Sequence, residues 1–231
     1  MDRHLRDIHK HMRGLGLGAL AHANWHANYF SQDNPWWSEL SVLQAAHAAE
    51  ILIKARIAEE HPLLIFEQLP KATSEIGSLL SLEHLVEGGR TYRFSDLPDR
   101  LWATTGIRLP NIARFKSFGR LRNTIQHFSA ANTVDISDEA LRFIYEVIDP
   151  FINQCWGLCA IDFNEDHEPH VYLVAGLIRR GIRFLVSAEM MFSFEFMHLE
   201  WPADAPDYQA EMMARFKEAA AQVRARTVDG A

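Results

Sequence analysis

The chain has 231 residues, 48% of them apolar and 23% charged, enough for a substantial core in one domain with an appendage. Its net charge of −7 sets it apart from a general nucleic-acid coat protein. The longest apolar run, Val171–Ile178, falls short of the ~18 residues a membrane span needs and is followed by Arg179 and Arg180, so no membrane partner is expected.

The N-terminal MDRHLRDIHKHMRG is followed by no apolar stretch with a small-residue cleavage site, so no secretory signal is expected. Cys155 and Cys159 are the only cysteines and read as core thiols on one helical turn. Together these point to the cytoplasm.

In chain order, Gly14 and Gly16 are expected to divide the His- and Ala-rich first 30 residues into two pieces. Ser38 begins the clearest helix, with Val42, Ala46, Ala49, Ile53 and Ile57 at helical spacing and Pro62 ending it. Pro70 to Ser81 reads as a short helix, and Gly88-Gly89 as a turn. Ser95 reads as an N-cap, with Pro98 in the first turn of a helix to about Thr105. Pro110 opens the next helix, which carries Ile112, Phe115, Phe118 and Leu121 and whose continuity Gly119 weakens.

Ser137-Asp138-Glu139 should cap a long apolar helix of Leu141, Ile144, Val147, Ile148 and Ile152, kinked at Pro150. Asp162 to Glu168 is a polar connector and the best boundary. Residues 170–187 show valine and leucine at helical spacing, while their β-branched content leaves a strand open. Trp201–Pro206 reads as a loop, and Tyr208, Met212, Phe216, Ala219 and Val223 as a last amphipathic helix. The expected fold is mainly α: an up-and-down helical bundle over residues 1–162, then a mostly helical C-terminal extension, 163–231, packed on it.

Between Asp99 and Asp135 there is no acidic residue, yet the stretch carries Arg100, Arg108, Arg114, Lys116, Arg120 and Arg122. It is either an anion site, with Arg114, Lys116 and Arg120 as RNA-binding candidates, or a solvated face whose acids lie on a neighbouring helix. Inside it stands Arg122-Asn-Thr-Ile-Gln-His127. RNA cleaves itself when a 2′-hydroxyl attacks the adjacent phosphate. A histidine suits the proton transfers, and an always-charged, fork-shaped guanidinium suits the phosphorane. Neither task needs a metal or cofactor, and none is expected.

On a regular helix Asn123 and His127 share a face, so Asn123 can hydrogen-bond or orient the imidazole. Arg122 and His127 lie roughly 140° apart, so the long Arg122 must reach round from its own face. One histidine is few for a reaction that needs both a base and an acid. A two-fold dimer would bring two copies of His127 and Arg122 into one cleft. Spacing alone does not single out this pair, because Arg6–His11 and Arg56–His61 have the same gap.

The Arg-Asn-x3-His segment, together with the earlier helix AAHAAEILIKARIAEEHP, resembles the HEPN family of small α-helical bundles common in prokaryotic toxins and defence systems. The resemblance covers roughly residues 38 to 160. It implies a metal-independent endoribonuclease acting as a homodimer, with a composite site of Arg122 and His127, support from Asn123 and a lesser role for Glu50. It also implies RNA as substrate and control by a cognate antitoxin or regulatory protein. Some members lack catalysis and serve as helical modules for protein or RNA binding. Members neutralised by nucleotide attachment often carry a Tyr two residues after the His, where this chain has Ser129.

Other features have plainer readings. Glu50 stands four residues from Lys54, as in an ordinary helical ion pair. His22 and His26 have i,i+4 spacing, but nothing completes a zinc ligand set. Trp36-Trp37 is either a base-stacking platform or a loop anchor, and MMFSFEFMHLEW (190–201) is either core or a protein interface.

Overall fold

In the computed structural model residues 3–71, 80–128, 135–168 and 170–229 are described, and they are mainly α-helical. They divide into two compact units, one of residues up to 18 together with 47–109, the other of 19–46 together with the chain from 110 onward. The connector expected around 162–168 lies within the second unit.

α1 (Arg3–Arg6), in the first unit, stops before Asp7, and α2 (Ile8–Asn28) then runs without a break, with its residues to 18 in the first unit and the rest in the second. The expected division at Gly14 and Gly16 does not occur. A Cβ on Gly16 would stand 2.7 Å from Cγ of Leu52 and 3.3 Å from its backbone nitrogen. This glycine therefore serves close packing of α2 on α3 (Trp37–Glu60) rather than a chain break. Along α3 the predicted stripe of Val42, Ala46, Ala49, Ile53 and Ile57 is buried.

A short antiparallel pair, β1 (Phe66–Gln68) with β2 (Arg90–Thr91), has no counterpart in the sequence reading. Between them lies α4 (Leu82–Gly88), capped by Ser81, whose Oγ accepts from the N–H of His84 while its own N–H donates to the His84 ring. The helix expected over Pro70–Ser81 falls mostly outside the described residues. A 3₁₀ turn, Phe94–Asp96, precedes α5 (Leu97–Thr105), so Ser95 is not its cap and instead donates to Asp96. The helix closes on Gly106 at φ 74°.

In the second unit, α6 (Ile112–His127) starts from Asn111, whose side chain accepts from the N–H of Arg114. It continues through Gly119 without interruption. Phe115 and Phe118 are buried against Phe143, the Phe118 ring stacked on it at 3.8 Å between centroids, whereas Ile112 stays exposed rather than entering the core. α7 (Ile136–Phe143) is capped by Asp135, which accepts from the N–H of Asp138, not by Ser137.

Just before Pro150 the helix takes a π-helical turn, Ile144–Ile148, in which the N–H of Asp149 bonds the carbonyl of Ile144. The wider turn accommodates a proline ring and its missing donor before α8 (Asp149–Trp156). Cys159 lies beyond α8, so the two cysteines do not share a helical turn. Neither is in a disulfide.

The helix-or-strand alternative over 170–187 resolves into both less and more than either. α9 (Val171–Arg179) is helix, and residues 182–187 form neither helix nor strand. Side chains take the ladder's place. Asp149 accepts from the N–H of Leu185, Tyr208 donates to the Ile182 carbonyl, and Arg215 donates to that of Phe184. The last two belong to α10 (Pro206–Asp229), which buries Tyr208, Met212, Phe216 and Ala219 as predicted.

The Met/aromatic segment is a 3₁₀ turn over Met190–Phe196. Met190 is buried and Phe194 packs 4.9 Å from Phe216, while Phe192 remains exposed. Trp37 packs on His26 and Trp25, while Trp36 is exposed. No helix among the described residues is long and apolar enough to cross a membrane.

Candidate functional site

The rotation of α6 about its axis is fixed by Phe115 and Phe118, which must face the core. That choice sets which residues face out. Lys116, Arg120, Asn123 and His127 follow one another at spacings of four, three and four, within an arc of about 60° and over about 16 Å of helix. All four are exposed. They form one polar stripe whose last member, His127, is the final residue of the helix.

Arg122 lies on the other side, close to the angular position of the two buried phenylalanines, and is half-buried. Its guanidinium nevertheless reaches round, and Nη1 donates to Oδ1 of Asn123 at 3.2 Å. The side-chain amide is thus engaged by the arginine, and no hydrogen bond joins Asn123 or Arg122 to His127. The hydrogen bond that Asn123 makes is to Arg122 and not to His127. Within one chain the stripe holds one imidazole and a guanidinium brought to its edge.

The six cations of the acid-free stretch have separate fates. Arg114 is drawn into ion pairs with Glu146 at 2.6 Å and Glu139 at 3.2 Å, so for this residue the acids do lie on neighbouring elements. Arg100 donates to the Leu64 carbonyl and covers the Tyr92 ring, and Arg108 lies over Trp102. Lys116, Arg120 and Arg122 have no ion pair among the described residues. The basic character that remains available is therefore concentrated on α6, beside His127.

Glu50 belongs to the first unit, where it accepts from Nζ of Lys54 at 2.6 Å; Lys54 also bonds Thr91. This is the helical ion pair its spacing suggests. Ser129 lies outside the described residues. His22 pairs with Glu165 and His26 bonds Gln44, and among the described residues no group of three or more His, Cys, Asp or Glu side chains is arranged to hold a metal.

A concavity of 620 Å³ lies in the second unit between the end of α8, residues 185–189 and α10. Asp162, Glu189 and Glu218 line it against a single Arg215, an acidic balance that repels a phosphodiester. Asp162 Oδ1 accepts from Ser187 and lies 3.1 Å from Nε2 of His170. Ser187 donates to the carboxylate and not to the imidazole, so the trio lacks the serine–histidine link of a nucleophilic triad.

The sequence reading missed the polar groups that brace the second unit. Asn24 is buried and donates to the carbonyls of Ala160 and Phe163 while accepting from Tyr145. Asp149 is fully buried and accepts from the N–H of Ala160 at 2.7 Å and of Leu185 at 2.8 Å. Burial pushes its carboxyl up to about 7, with the two N–H bonds acting the other way. An acid directly before a proline in the largely apolar run IYEVIDPFI was the available signal. Cys159 is likewise pushed up to about 12 by burial, which disfavours its thiolate.

No protein-family model, curated protein or solved structure matches the chain. The functional reading therefore rests on the residues of α6.

Proposed function

We propose that the chain is a metal-independent endoribonuclease of HEPN type, acting as a homodimer with a composite Arg122/His127 site and serving as a toxin or defence effector. One observation carries the reading: an exposed stripe of Lys116, Arg120 and Asn123 ending in His127, with Arg122 reaching to its edge. The cations attract the RNA backbone and the guanidinium neutralises charge developing on the reacting phosphate. One His127 takes the proton of the 2′-hydroxyl as the O2′–P bond forms. A second, from another copy of the chain, protonates the departing 5′-oxygen as the P–O5′ bond breaks. The products are a 2′,3′-cyclic phosphate and a 5′-hydroxyl. The partner copy is needed because one chain offers only one imidazole on this face.

The test is incubation of purified wild-type and His127→Ala protein with mixed cellular RNA in EDTA, with end-group analysis of the fragments. Cleavage by wild type alone, leaving cyclic or 3′-phosphate ends, supports the reading. Equal cleavage by both proteins refutes it. A ribonuclease toxin predicts that expression of the wild type slows growth and that of His127→Ala does not.

The second reading is a module that binds RNA along the same stripe without cutting it. The separation of Arg122 from His127 around α6 favours it. It predicts salt-sensitive RNA binding that survives His127→Ala.

A further inference from the structure

Phe128 follows His127 directly, and its ring is 88% exposed. The residue leaves the helical path at φ −140°, ψ −104°, yet its N–H still bonds the Thr124 carbonyl at 2.8 Å, so it is anchored to the last turn of α6. Its neighbours on that turn, Thr124, Gln126 and His127, are polar and exposed, and Ile125 is half-buried. A lone aromatic ring in polar surroundings is a poor seat for an apolar protein surface, which needs contiguous apolar companions. It is a good seat for a nucleobase, which offers a flat π-face and tolerates polar edges. The charge of the same helix agrees: Lys116 and Arg120 can hold backbone phosphates on the N-terminal side of His127, which leaves the ring at the end of that track.

We infer that Phe128 is a base-stacking residue that holds an unpaired nucleobase beside the phosphodiester presented to His127. The inference rests on the ribonuclease reading above. A base can lie on the ring only when it is out of a duplex, so the substrate class is single-stranded RNA or loops.

The experiment uses full-length wild type, Phe128→Ala, Phe128→Trp and His127→Ala on a single-stranded oligonucleotide taken from around a mapped cleavage site, and on the same sequence annealed to its complement. Stacking predicts that Phe128→Ala raises KM about tenfold with a smaller change in kcat, that Phe128→Trp restores it, and that the duplex resists cutting. Melting temperature should not move, because the ring is exposed. An unchanged KM in Phe128→Ala overturns the inference and leaves the nuclease standing. So does a loss of dimer mass in light scattering, which would make the ring a contact between copies. Equal activity of wild type and His127→Ala instead removes the nuclease reading, and the inference with it.

Discussion

Nη1 of Arg122 donates to Oδ1 of Asn123 at 3.2 Å, which draws a guanidinium rooted on the core side of α6 toward the exposed stripe that ends in His127. If this contact aims the guanidinium, the two residues have graded effects. Arg122→Ala should lower kcat about 10²-fold or more, the scale of losing a charge-stabilising donor. Arg122→Lys should recover only part of that, since an ammonium lacks the fork. Asn123→Ala should cost about tenfold. Kinetics on a fixed RNA, with melting curves as control, check the order. Equal loss from Asn123→Ala and Arg122→Ala would show that the amide does more than aim its neighbour.

The cations of α6 divide by partner. Lys116→Ala and Arg120→Ala should each weaken RNA binding and lower the slope of log affinity against log salt by about 0.7, the share of one single-strand phosphate contact. Arg114→Ala should leave that slope nearly unchanged and instead destabilise the fold by about 1 kcal/mol through loss of its pairs with Glu139 and Glu146. Salt titrations and denaturant melts of the three variants separate the two effects.

Three glycines of α2 give an internal contrast. Beyond the adjacent residues and the helix's own backbone, no atom lies within 4 Å of a Cβ built on Gly14 or Gly18, so alanine there should stabilise the helix by about 0.5–1 kcal/mol. Gly16→Ala meets the buried Leu52 and should destabilise by about 1–3 kcal/mol despite the better helix propensity. Thermal melts should therefore move in opposite directions for neighbouring sites of the same chemistry.

Asp149 makes stability depend on pH. Its carboxyl lies near 7 in the folded chain and near 3.8 when exposed, so the folded state binds the proton more tightly. Its contribution is fully present below about pH 4 and lost as pH rises through about 7, a change of about 4 kcal/mol. Asp149→Asn should flatten this part of the curve. It should also cost about 1–3 kcal/mol, because an amide cannot accept from both Ala160 and Leu185. Denaturant midpoints between pH 4 and 8, taken as the difference between wild type and variant, isolate the group.

Much of the helical content was legible in the sequence because it follows from local periodicity. The stripe of α3, the buried face of α10 and the end of α5 at Thr105 were read from spacing and terminators alone. Where the reading erred, the deciding partner was distant in sequence. Gly16 is read as a breaker until Leu52 is known to lie against it. Residues 182–187 could be helix or strand until Asp149, Tyr208 and Arg215 are seen to satisfy their backbone. The β1–β2 pair, three residues against two, is too short to leave a period.

For the candidate site, the sequence by itself determined the chemistry: an arginine, an asparagine and a histidine in a basic, acid-free stretch. It also determined that Asn123 and His127 share a helical face, because that follows from 3.6 residues per turn. Only the tertiary structure decided that this face is exposed, since burial of Phe115 and Phe118 against Phe143 fixes how α6 is turned. It also decided which cations stay available, since Arg114 meets its acids only when α6 packs beside α7 and the turn that follows. Local periodicity sets what a helix presents, while packing sets which side of it meets water and which of its charges find partners.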